Sequence, residues 1–435
     1  MHLGRFAPSV SLVAFLALSA CSPADDAERT TIRLEDSTDP VDDIPYWMDD
    51  TFSMEDLERG RLDTSWRDVA EVDSVAVVKL DSAIARMVRD AEAAGELESF
   101  ADIGEVAADS ATATAPPITL PLRGNVEGPS VLYVQVLLDH AGFSPGVIDG
   151  RWGKNTEKAV FWLQQNEGLP ATGGVDSLTY TRLAELAGLA DQPDAFVATH
   201  ELSAEDVEGP FAPLPADVYA QGKLKCLCYA SLTEKLAERF HTTPAVLAEL
   251  NPGASLDALM AGDTLRAPAV SPLDGSRTAA RGAEAPIAQL VISDQGHYLH
   301  ALDAAGKIVY HFPATLGSQY DPSPSGDFKV VSITPNPWFH YQPALLAGAD
   351  TTKPNVQLPP GPNSPVGLVW IKLSKAHYGI HGTREPAAIG YATSSGCIRL
   401  TNWDAKFLGE RLSGGVPVEF RDMQNAPAAP PRSTT

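Results

Sequence analysis

Cysteine is scarce in this chain, with four residues in 435, at positions 21, 226, 228 and 397. So few exclude a disulfide framework, and Cys226 and Cys228 have no second pair nearby with which to hold a structural zinc ion. Basic residues are also few: 32 Lys and Arg stand against 56 Asp and Glu, a formal net charge of −24. That balance excludes a nucleic-acid binder, which needs clustered cations to neutralise phosphates. The apolar run from Val10 to Leu18 is too short to span a bilayer as a helix. What is present is 44% hydrophobic residues, enough at this length for two or three domains, each with its own core.

His2 and Arg5 precede that apolar run, which ends in Leu18-Ser19-Ala20-Cys21. The ending resembles a bacterial lipoprotein signal, here residues 1–20. The resemblance implies a periplasmic protein lipidated at Cys21, and Ser22 implies sorting to the outer membrane. Several acyl chains on one cysteine anchor firmly where a single chain does not. The other reading is an ordinary secretory signal in which Cys21 is incidental. Residues 21–45 are acidic and poor in aromatics, a tether. In residues 46–117, Val69, Val72, Leu80, Ile84 and Val88 recur near helical spacing, which predicts a helical region of unassigned role.

Residues 118–190 carry three apolar stripes at helical spacing: Val131, Val134, Leu137 and Leu138; Ala159, Val160 and Leu163; Leu178, Leu183 and Leu186. Glycine-rich turns separate them. With Asp149-Gly150, Trp152-Gly153, Thr156, Gln164, Gly168-Leu169 and Asp176 at matching places, the segment resembles the three-helix peptidoglycan-binding module. Because several of these are core and turn positions, the match speaks to fold more than to binding. In residues 200–270, the run from Leu232 to Gly253 is similar to the two helices of a LysM domain, and residues 262–268 to its last strand. The resemblance implies a βααβ fold, although the usual Gly-Asp-Thr start before Leu232 is missing. Cys226 and Cys228 could pair in an oxidising compartment. A linker follows at 271–285.

From 286 to 422 the pattern turns to short strands around turns at Asp294–Gly296 and Asp303–Gly306, with no helical periodicity until residue 402. The whole reads as a multidomain α+β chain ending in a mostly antiparallel β domain with short helices. Residues 334–365 are proline-rich and carry Trp338 and Tyr341, which predicts a long loop serving as a lid and substrate contact. A disordered tail is expected at 423–435.

Within that β domain lies HGTREPAAIGYATSSGCIRL, residues 381–400. A thiol is strongly nucleophilic as thiolate, and a neighbouring imidazole is the usual acceptor of its proton. The small residues Ser394, Ser395 and Gly396 let backbone approach a carbonyl, so that N–H groups at Gly396 and Cys397 can face an oxyanion. A buried structural cysteine beside an unrelated histidine is the bland alternative. The string resembles the L,D-transpeptidase signature, and residues 323–328 (SPSGDF) and 361–373 (GPNSPVGLVWIKL) extend the match. Ser395 stands where many members carry a second histidine, which leaves His381 alone as base.

The resemblance implies that Cys397 attacks a peptidoglycan stem peptide to form a thioester, which a neighbouring stem resolves into a three-to-three cross-link. It further implies that the Gly382 carbonyl orients His381. Arg399 either pairs with a substrate carboxylate or braces the loop; Ser394 and Ser395 line the site. Strand alternation along His377-Tyr378-Gly379-Ile380-His381 predicts His377 on the same face as His381. No metal or cofactor is required. Water or an envelope-protein lysine could replace the acceptor, giving a carboxypeptidase or a protein-anchoring enzyme. A wall-binding lipoprotein with a silent catalytic domain is the remaining alternative.

Overall fold

The computed structural model describes residues 118–190, 196–273, 286–318, 322–343, 352–394 and 396–423. The expected signal at 1–20, Cys21, the expected tether, the 46–117 region, most of the expected 271–285 linker, Ser395 and the expected tail from 424 lie outside the described residues.

The three stripes form α1 (Pro129–His140), α2 (Lys154–Glu167) and α3 (Ser177–Ala187). Proline opens α1, where its missing N–H costs nothing. Gly168, at φ +69°, ends α2 in the left-handed region that favours glycine. Asp176 caps α3 by accepting from the Thr179 N–H at 2.8 Å. Gln135 of α1 ties the turn between α1 and α2. Its Nε2 donates to Asp149 Oδ1 and Thr156 Oγ1, and its Oε1 accepts from the Asp149 and Gly150 N–H groups.

Next comes β1 (Val197–Glu201), paired antiparallel with β2 (Thr264–Pro268). Between them lie two single-turn helices, α4 (Ala204–Val207) and α5 (Val218–Gln221), then α6 (Leu232–Arg239) and α7 (Pro244–Leu250). The strand preceding α6 is therefore displaced to residue 197, and residues 202–231 form an excursion. Within it Cys226 and Cys228 are bridged, with Cα atoms 5.2 Å apart. The expectation of a separate core for each unit is corrected here. Val134, Leu137 and Leu163 of the helical domain and Leu236, Leu247 and Leu265 of the βααβ unit belong to one buried cluster.

The rest builds an eight-stranded sheet in the order β11-β10-β9-β6-β12-β3-β4-β5. Its strands are β3 (Gln289–Ser293), β4 (Tyr298–Leu302), β5 (Ile308–Pro313), β6 (Gly326–Pro335), β9 (Val369–Leu373), β10 (Gly379–His381), β11 (Ile398–Arg399) and β12 (Pro417–Arg421). Pairing is antiparallel except for β10–β11 and β12–β3, so the sheet is mixed. The helix expected from residue 402 is α8 (Asn402–Gly409). Part of the loop expected at 334–365 is instead a hairpin, β7 (Phe339–Tyr341) against β8 (Val356–Leu358).

An unpaired sheet edge invites association, and β5 is covered by the helical domain. Ser144 N–H donates to the His311 carbonyl, and His311 N–H to the Gly142 carbonyl, both at 2.9 Å. Gly142 sits at φ +80°, where an added Cβ would lie 3.0 Å from the Tyr310 ring. Asn166 of α2 exchanges two hydrogen bonds with the backbone of Ile308, as a neighbouring strand would. Lys158, fully buried, donates to the carbonyls of Gly296 and His297.

Candidate active site

His381 ends β10, between β9 and β11. The parallel register pairs Ile380 with Ile398 and His381 with Arg399, so Cys397 enters the sheet beside the strand that carries the histidine. His381 is fully buried, with its ring stacked on Trp370 at 5.4 Å between centroids. Its Nδ1 lies 2.6 Å from the Gly382 carbonyl. A carbonyl only accepts, so Nδ1 carries the proton and Nε2 presents its lone pair. That Nε2 is buried without a hydrogen-bond partner.

Cys397 is 1% exposed and is the free thiol among the described residues. It packs with Leu227, Phe339, Leu358, Val366 and Trp370. Its Sγ donates to the His377 carbonyl at 3.7 Å. His377 is not on the strand face: it is exposed, in a turn at φ +67°, and contributes its carbonyl rather than its ring.

Burial decides the charges. It pushes the Cys397 thiol up to about 12, against a backbone hydrogen bond from Gly379 and the positive charge of Arg399. It pushes His381 down to about 3, with Arg399 adding to the effect and the Gly382 bond opposing it. Burial therefore favours a neutral thiol and a neutral imidazole in the free protein.

Gly396 adopts φ +102°, and a Cβ there would stand 3.0 Å from the Tyr378 ring. Its N–H donates to Ser394 Oγ at 3.1 Å, and Ser394 Oγ donates to the Cys397 carbonyl at 2.6 Å. Ser394 thus shapes the loop, and an oxyanion at the Gly396 N–H would have to displace it. Ser323, from the SPSGDF segment, donates to the Gly396 carbonyl at 2.9 Å. Arg399 is buried at the sheet end, its backbone exchanging hydrogen bonds with Thr315. Tyr341 packs on the cluster that holds Cys397 and makes an edge contact with Tyr219, whereas Trp338 is half-buried between β6 and β7.

Sequence reasoning missed Trp370, Asn402, Leu227 and Tyr378. Leu227, between the two bridged cysteines, is fully buried against Cys397's cluster, its backbone paired with Pro360 and Asn363. No periodicity marks such contacts.

The segment between His381 and Cys397 also forms one wall of a groove of about 800 Å³. Pro386, Ala387 and Tyr391 line it together with Asp149, Trp152 and Asn155 of the helical domain, and the Tyr391 hydroxyl packs against Gly153. Asn155 Nδ2 bonds the Ile389 carbonyl at 2.8 Å.

Comparison with known proteins follows the same two regions. Residues 288–420 match the family model described as L,D-transpeptidase catalytic domain, and residues 127–183 the one described as "Putative peptidoglycan binding domain". The chain is 29% identical over 187 residues to the Bacillus licheniformis protein named "Putative L,D-transpeptidase YkuD", covering 43% of this chain and 92% of that one. It is 30% identical over 148 residues to the Escherichia coli K12 protein named "Probable L,D-transpeptidase YbiS", covering 31% of this chain and 48% of that one. Among solved structures, an L,D-transpeptidase from Xylanimonas cellulosilytica covers 71% of this chain and is itself covered in full, at 16% identity and a TM-score of 0.30.

Proposed function

From the premise that residues 288–420 are an L,D-transpeptidase catalytic domain behind a peptidoglycan-binding domain, we propose a cysteine-dependent L,D-transpeptidase that forms three-to-three cross-links between stem peptides. The observation that carries this reading is the His381 imidazole, held by the Gly382 carbonyl with Nε2 unprotonated and unpartnered.

In the first half-reaction the Cys397 S–H proton passes to His381 Nε2, and sulfur attacks the carbonyl of the third residue of a donor tetrapeptide. The C–N bond breaks, His381 returns the proton to the departing amine, and D-alanine leaves from a thioester. In the second, a side-chain amine of a neighbouring stem attacks the thioester and loses a proton through His381. The C–S bond breaks and the thiol is restored. A buried neutral pair suits this course, because proton transfer and attack proceed together without a standing charge to desolvate. The Gly396 and Cys397 N–H groups would receive the oxyanion, with Ser394 Oγ giving up the former. Arg399, Ser395, Trp338 and Tyr341 would form the substrate side.

Peptidoglycan as partner follows from the second domain, and the groove between Trp152 and Tyr391 supports that domain's presenting the wall to the catalytic loop. The βααβ unit supports a LysM-like origin, and its helices pack inward rather than onto an open face. A location outside the cytoplasm goes with a cell-wall enzyme; the lipid anchor at Cys21 is part of this proposal. Mass spectrometry of muropeptides after treating sacculi with the enzyme tests it. Three-to-three dimers are expected. Tripeptides alone would replace the reading by a carboxypeptidase, and unchanged muropeptides would overturn it.

A further inference from the structure

The accessory units grip one turn of the catalytic domain. Thr401 caps α8, whose first turn follows Cys397 by five to seven residues. Each of that turn's three side chains is held from outside the catalytic domain. Asn402 Nδ2 donates to Glu238 Oε1 of α6 at 3.0 Å. Trp403 stacks on His241 with centroids 5.1 Å apart and planes 11° from parallel. Asp404 Oδ2 accepts from Ser144 Oγ at 2.8 Å.

Asn402 matters most, because its amide touches the support of the histidine. Beyond Glu238, its Nδ2 donates to the Pro362 carbonyl and its Oδ1 accepts from Leu368 N–H. A Cβ on Gly382 would lie 2.1 Å from Asn402 Oδ1, and one on Gly367 2.0 Å from the same atom. The Asn402 amide is thus wedged against the backbone of Gly382, whose carbonyl sets the His381 tautomer.

We propose that Glu238, from the βααβ unit, is a positioning residue for His381, acting through Asn402 and Gly382, so that the βααβ unit is needed to assemble the base. The proposal rests on the transpeptidase reading above. Geometry supplies the reason. Glu238 is buried, and its Oε1 accepts from both Asn402 and the Tyr229 hydroxyl, the latter at 3.1 Å. Burial also holds its carboxyl up at about 8, so a neutral acceptor suffices near neutral pH. An isosteric amide should therefore serve, whereas an apolar side chain should not. Reacting groups misplaced by a fraction of an ångström lose rate steeply.

The test is a double-mutant cycle on acylation of Cys397 by a carbapenem, followed by mass spectrometry on the full chain. Glu238→Leu should slow acylation roughly tenfold, with binding affinity for the probe unchanged, and Glu238→Gln should restore the rate to within about twofold. In a His381→Ala background, Glu238→Leu should cost nothing further. Equal losses with and without His381, or failure of Glu238→Gln to restore the rate, would overturn the coupling alone. A wild-type rate independent of His381 would overturn the transpeptidase chemistry as well. If Glu238→Leu does not accumulate folded, Glu238→Met removes the same acceptor with a more adaptable side chain.

Discussion

Asn155, at the start of α2, donates to the carbonyl of Ile389, which lies in the loop between His381 and Cys397, at 2.8 Å. A residue of the peptidoglycan-binding domain therefore holds the catalytic loop directly. Where such domains sit on separate cores, removing one leaves the other intact. Here they do not.

Excising residues 118–190 should accordingly damage the enzyme and not merely its attachment to the wall. The β5 edge would be exposed, and the carbonyls of Gly296 and His297 would lose Lys158. Size-exclusion chromatography should show self-association, and carbapenem acylation of what remains soluble should fall at least tenfold. A monodisperse product acylated at the full rate would refute that dependence.

The resting thiol should be quiet. With Cys397 pushed up to about 12, iodoacetamide at pH 8 should modify it far more slowly than a free cysteine of pKa about 8.5. A carbapenem should nonetheless acylate it. Cys397→Ala should abolish the adduct, and His381→Ala should slow its formation by roughly 10²–10⁴-fold. Rapid alkylation, or acylation indifferent to His381, would contradict the neutral-pair arrangement.

Wall binding should depend on both sides of the groove. Tyr391→Ala, on the catalytic side, should lower sacculus pull-down several-fold, the scale of losing an aromatic contact of about 1 kcal/mol. Thermal unfolding should stay within a few degrees of wild type. Undiminished pull-down would confine binding to the helical domain or move it elsewhere.

Stability should peak near pH 6.5, falling below it and, more gently, up to about pH 8. His381 and His300 are pushed down to about 3 and His311 well below its ordinary value, chiefly by burial, so the fold holds them neutral. The unfolded chain protonates them near pH 6.5, so their contribution is present above 6.5 and is lost as pH falls toward 3. Each contributes at most about 1.4 kcal/mol per pH unit. Glu238 acts in the opposite sense: raised to about 8, it contributes stability below its unfolded value of 4.5 that is lost as pH rises through 8. Urea midpoints measured from pH 4 to 9 should show both limbs. His300→Gln should make the acid limb shallower, and Glu238→Gln should remove the fall that ends near pH 8; unchanged limbs in these variants would reassign the titrating groups.

Much of this protein was legible along the chain because the information is local. The turns at 294–296 and 303–306, the stripes of α1 to α3 and the helix from residue 402 follow from spacing and turn chemistry within a few residues. The histidine and cysteine stand sixteen residues apart around one loop, His381 ending β10 and Cys397 immediately preceding β11, which pairs with it, so the motif already holds the pair. What tertiary structure alone decided lies between residues far apart in sequence. Glu238 reaches Asn402 across 164 positions, Ser144 reaches Asp404 across 260, and Leu227 joins the buried cluster of Cys397 from another unit. Such contacts leave no periodic trace. The charge state of His381 and Cys397 was equally out of reach, because a pKa depends on how completely water is excluded, and exclusion is a property of the packed whole.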